Sequence, residues 1–221
     1  MHLKLTFILV ITFGLGFSQT EKDDYEIYSK VINKSVMRLE KNIEIYNIKS
    51  IKTVVVIEKL KYEFKKDHLM FNEFKTDSSL TSLFYTMTKD ILIKKRFLSD
   101  ENLVQVLPEF NKDFTYHPNI DFNLINLEYL NIASISFQEY ENLTDNSTNS
   151  YGRRWRKVNK KYKHSIVFSL SKIKYLENYA SVYYWYDCGK LGFCKNENVM
   201  VLEKVNGKWK EVSNIILWIS D

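Results

Sequence analysis

The chain has 221 residues, of which 45% are hydrophobic and 15% aromatic, with only six Gly and two Pro. That balance excludes a disordered chain, and a length near 200 residues suffices for one substantial core. The formal net charge is +5, and its distribution carries more information than its size.

The start reads Met1-His2-Leu3-Lys4, a short head with one positive charge, followed by an apolar run from Leu5 to Phe13. Gly16 and Ser18 then supply a small-x-small exit before the charged residues Glu21, Lys22, Asp23 and Asp24. A charged head, an apolar core of roughly 7–15 residues and a small-residue exit are the marks of a secretory signal peptide. The expectation is a signal peptide over 1–18, cleaved after Ser18, and a single α+β domain over 19–221. The apolar run is shorter than the roughly 20 residues a membrane span needs. No later stretch is long and apolar enough to replace it, so no transmembrane segment is expected after cleavage. The absence of a cysteine just after the run argues against a lipid anchor. The setting this implies is periplasmic or secreted.

Residues 22–46 read as a helix, because Tyr25, Tyr28, Val31, Ile32, Val36, Leu39 and Ile43 recur at three- and four-residue steps on one face. Residues 53–57 are dense in β-branched side chains and predict a buried strand. A second amphipathic helix is predicted over 79–95, an irregular segment over 97–123, and a strand over 126–137. The polar stretch 141–150 reads as a surface loop, and 151–163 as a short basic helix. Four strand-like runs follow at 165–170, 179–186, 198–205 and 209–219. Asn206-Gly207 lies between the last two, and this dipeptide favours a type I′ hairpin because both central residues need positive φ. Helices precede strands rather than alternating with them. The fold class expected is therefore α+β, with N-terminal helices packed on a mainly antiparallel sheet that ends in a four-stranded meander.

Cys188 and Cys194 are the only cysteines. An exported chain with an even cysteine count predicts a bridge, and Gly189 and Gly192 permit the tight turn it needs. Closing so short a loop contributes about 2 kcal/mol. C-x-x-C redox spacing is absent, and nothing nearby completes a metal set.

Seven basic residues and no acidic one lie between positions 153 and 163: Arg153, Arg154, Arg156, Lys157, Lys160, Lys161 and Lys163. Without Lys4 of the leader and these seven, 24 basic residues face 27 acidic ones, so the positive character is local. On a helix Trp155, Val158 and Tyr162 share one face, which turns the aromatics toward a core. The basic residues then form either a solvated face or an anion-binding surface for acidic glycan or lipid headgroups. Nucleic acid is not the expected partner, because export removes the chain from it.

No catalytic constellation is recognisable. His68, His117 and His164 are not at metal-pair spacing, and no nucleophile elbow, P-loop or dinucleotide fingerprint occurs. Glu58 with Glu63, or Asp23 with Asp24, are acidic pairs of the kind any chain with 27 acidic residues contains. No cofactor and no metal are expected.

The last seventy residues resemble a family of exported bacterial proteins, of Bacteroidetes type, with no assigned function. The residues that carry the likeness are the aromatic helix 155–162, Phe168-Ser169-Leu170-Ser171, the aromatic strand from Tyr179 to Tyr184, the loop from Cys188 to Cys194, Asn206-Gly207-Lys208-Trp209 and Trp218-Ile219-Ser220. Where the family has Tyr-Pro after the helix, this chain has Tyr162-Lys163. The resemblance implies the meander and the exported setting, and brings no catalytic residues. The function expected is that of an exported non-enzymatic domain that binds an anionic or envelope component. The alternatives left open are a periplasmic or secreted hydrolase with a site built from scattered residues, and an immunity-type inhibitor.

Overall fold

A computed structural model of the chain describes residues 2–41, 51–58, 120–144, 151–189 and 194–219. The helix expected over 79–95 and most of the irregular segment lie outside the described residues. Helix α1 (His2–Lys41) is followed by β1 (Thr53–Ile57), a 3-10 turn (Phe122–Leu124), β2 (Asn131–Ile135), and the helices α2 (Phe137–Thr144) and α3 (Tyr151–Lys161). The strands β3 (Ser165–Leu170), β4 (Lys174–Leu176), β5 (Tyr179–Asp187), β6 (Asn196–Val205) and β7 (Lys208–Ile219) complete the order. The class is α+β, as the sequence indicates.

The sheet has seven strands in the order β2-β1-β3-β5-β6-β7, with β4 paired to β5 in line with β3. β3, β5, β6 and β7 form the antiparallel meander. Its last turn has Asn206 at φ 52° and Gly207 at φ 75°, the backbone that a two-residue type I′ hairpin requires. β1 pairs parallel with both β2 and β3. A strand inside a parallel pairing is covered on both faces, which explains its unbroken run of valines.

Alternate residues of β1 and β3 face opposite ways, and they join two separate cores. Val54, Val56, Ile166 and Phe168 pack with Tyr25, Tyr28, Val31, Ile32, Val36 and Leu39 of α1. Val55, Ile57 and Val167 pack with Trp155 and Val158 of α3. The sheet is thus sandwiched between α1 and the α2–α3 pair. All six described residues of the predicted α1 face are buried.

Three sequence expectations need correction. The first helix does not begin at residue 22 but runs unbroken from His2. No proline interrupts that stretch, and isolated glycines such as Gly14 and Gly16 cost only about 1 kcal/mol each in a helix. The strand expected over 126–137 is confined to Asn131–Ile135. Residues 122–124 take a 3-10 turn held by Asp121, whose carboxylate accepts from the Asn123 amide at 3.0 Å. Beyond the strand, the Ser136 hydroxyl accepts from the Glu139 amide at 3.2 Å and caps α2. The stretch expected as a loop therefore contributes residues 141–144 to a helix, and 145–150 lie outside the described residues.

The first turns of α1 that follow Gln19 clamp the far end of the sheet. The Tyr28 hydroxyl donates to the Ser171 carbonyl at 3.0 Å, where the chain breaks between β3 and β4. Asp23 pairs with Lys204 at 2.6 Å, and Lys204 lies 5.4 Å over the Trp209 ring. Glu26 accepts from the Trp209 amide at 3.0 Å, and Lys30 donates to the Trp209 carbonyl.

Candidate functional site

The basic segment folds as α3, and its inward face is the one that helical spacing predicts. Trp155 is 2% exposed, Val158 is fully buried and Tyr162 is half-buried. The Tyr162 hydroxyl donates to the Ser134 carbonyl at 3.4 Å. Phe137, Tyr140 and Leu143 of α2 complete the same core, and the Tyr140 ring lies 5.9 Å from that of Trp185. The turn after the helix ends in a left-handed residue, His164 at φ 49°, whose carbonyl accepts from the Lys52 amide at 2.9 Å. The C-terminal end of the basic segment is therefore tied to the start of β1.

Arg156, Lys157, Lys160, Lys161 and Lys163 are exposed on the outer side. Lys161 forms an ion pair with Glu139 of α2 and lies 5.1 Å over the Tyr162 ring. The hydrogen bond to Glu139 raises the Lys161 pKa. Among the described residues no ion pair joins Arg156, Lys157, Lys160 or Lys163 to a carboxylate. Arg153 and Arg154 belong to the first turn of α3.

Cys188 and Cys194 are brought to disulfide distance, with Cα atoms 5.5 Å apart. The β5–β6 register explains why. Tyr184 faces Asn198 and Tyr186 faces Asn196, so the next pair on that side of the sheet is Cys188 with Cys194. The bridge closes the ladder in register and is buried in the α1-side core.

That side of the meander changes character along its length. Ala180 with Leu202 and Val182 with Met200 are apolar, whereas the next two cross-strand pairs are tyrosine with asparagine. Ser35 of α1 donates to the Tyr184 hydroxyl at 3.2 Å, Tyr184 donates to Asn214 at 2.7 Å, and Asn214 donates to Asn198 at 3.2 Å. Asn196 donates to the Tyr186 hydroxyl at 2.9 Å. The Asn196 Oδ1 and Asn198 Nδ2 atoms are buried without a hydrogen-bond partner. Sequence reading does not single out this array, because the helix and three strands that build it are brought together by pairing and packing.

An open groove of about 580 Å³ runs between α1 and the segment after the 3-10 turn, lined by Glu21, Glu26, Ser29, Lys30, Asn126 and Glu128 among others. Much of its polar lining is engaged in holding that segment. Ser29 accepts from the Asn126 amide at 2.9 Å and Asn33 donates to the Asn126 carbonyl at 3.1 Å. The acidic pairs noted in the sequence are likewise engaged: Asp23 by Lys204, Asp24 by the Tyr175 hydroxyl, and Glu58 by Ser134. Glu63, His68 and His117 lie outside the described residues. Among the described residues no group of three or more His, Cys, Asp or Glu could hold a metal ion, and no helix is long and apolar enough to cross a membrane. No family model, curated protein or solved structure matches the chain.

Proposed function

We propose that the chain is an exported, non-enzymatic binding protein whose α3 face meets an anionic component of the cell envelope. The observation that carries this reading is the division of α3. Its apolar side is spent on the core, and four of its basic side chains, with Lys163 just beyond it, stand in solvent. Cations carried on a packed helix already share an ordered backbone, so meeting a polyanion orders only their side chains. Vesicles rich in phosphatidylglycerol test it. Replacing Arg156, Lys157, Lys160 and Lys163 with Gln lowers vesicle affinity roughly 100- to 1000-fold, at up to about 1 kcal/mol per basic residue near an anionic surface. Equal binding by the variant sinks the reading.

Export is part of the same proposal. Removal of residues 1–18 shortens α1 and leaves Glu21, Asp23 and Asp24 near its new N-terminus, where negative charge favours a helix dipole. The disulfide suits an oxidising compartment, and the likeness to uncharacterised exported bacterial proteins points the same way. Intact-mass measurement on the exported protein is expected to give a chain starting at Gln19 and two hydrogens lighter than the reduced form. A retained leader refutes the assignment of 1–18.

A further inference from the structure

The disulfide loop touches both sides of the sheet. Its sulfurs belong to the core under α1, whereas Gly189 lies against the indole of Trp155, the residue that anchors α3 on the opposite side. A Cβ built on Gly189 would overlap Cγ and Cδ2 of that ring, so the backbone itself forms the seat for the indole. Gly189 adopts φ 70°, and its amide donates to the Asp187 carboxylate at 2.8 Å. The seat directly follows the bridged Cys188 in the chain. The position of Gly189 is thus bounded by strand β5 on one side and by the covalent closure to Cys194 on the other.

We infer that the Cys188–Cys194 disulfide holds the seat of Trp155 and thereby fixes the basic helix, so that the α3 face is set only in the oxidised chain. This rests on the anion-binding reading for its consequence, though not for its mechanics. Closure converts two thiols into one S–S bond, and two electrons and two protons pass to a disulfide of an exchange partner, which leaves as two thiols. Before closure, no covalent bond joins Cys188 to Cys194, and the seat at Gly189 lacks that tether. Local opening of an element that lacks its tether is the expected result, because segments of a fold open separately, each with its own free energy. The chain would then present a firm cationic surface after export and a looser one before it.

The test compares amide exchange and vesicle binding in the oxidised protein and in the Cys188→Ser/Cys194→Ser variant. Amides of residues 156–161 are expected to exchange at least 10-fold faster in the variant, with those of residues 28–36 in α1 less affected. Affinity for phosphatidylglycerol vesicles is expected to fall in parallel. Gly189→Ala, which keeps the disulfide and removes the seat, is expected to reproduce the loosening of α3 and serves if the double variant does not fold. Unchanged protection of 156–161 in a folded variant overturns the inference. Faster exchange in the variant together with no vesicle binding by the oxidised protein upholds the coupling and rejects the anion-binding reading.

Discussion

Gly189→Ala lowers the unfolding free energy by about 3 kcal/mol, whereas Gly207→Ala costs about 1–2 kcal/mol. Both glycines have positive φ, at 70° and 75°, and an L side chain there costs roughly 1–2 kcal/mol. They differ in what surrounds them. A Cβ on Gly207 meets nothing within 4 Å, whereas one on Gly189 meets the rigid, 2% exposed ring of Trp155. Forcing atoms into a packed core adds roughly 1–3 kcal/mol. Urea unfolding of the two variants checks the contrast, and equal midpoints would show that the Trp155 contact contributes nothing to the difference.

Alkaline conditions should unfold this protein steeply. Burial pushes the hydroxyls of Tyr28 and Tyr184 far above the ordinary value of 10.0. Tyr175 moves the same way, through burial first and then its hydrogen bond to Asp24. Tyrosines of the unfolded chain ionise near pH 10, while these keep their protons in the fold. Above that pH the unfolded state binds fewer protons, so stability is fully present below about pH 10 and falls as pH rises further. Each of the two most deeply buried tyrosines removes about 1.4 kcal/mol per pH unit, or about 3 kcal/mol together. The slope of urea-derived stability between pH 10 and 11 is the measurement. Tyr28→Phe should remove about 1.4 kcal/mol per pH unit from the slope, and an identical slope in that variant would assign the effect to other groups.

Much of the architecture is legible along the chain. The valines of β1, the face of α1, the Asn206-Gly207 hairpin and the three inward residues of α3 all follow from periodicity or turn chemistry within a few residues. A further local signal is present in Ser136-Phe137-Gln138-Glu139, whose serine and glutamate have capping-box spacing. It marks the start of α2 inside a stretch whose apolar residues otherwise suggest a continuing strand. Leu127 and Leu130 are apolar because they pack against the core from a non-strand segment, which residue type alone cannot distinguish from strand.

For the α3 face, the amino-acid order determines which residues are basic, which turn inward, and that Cys188 and Cys194 are close enough along the chain to bridge. Only the tertiary structure decides that β1 lies in parallel between β2 and β3, that Ser35 joins an amide–tyrosine array 149 residues away, and that the disulfide loop seats Trp155. These depend on contacts between elements distant in the chain. Helical and strand periodicity specify a face but not its partner, and the partner is selected by the packing of the whole sheet between its two helical layers.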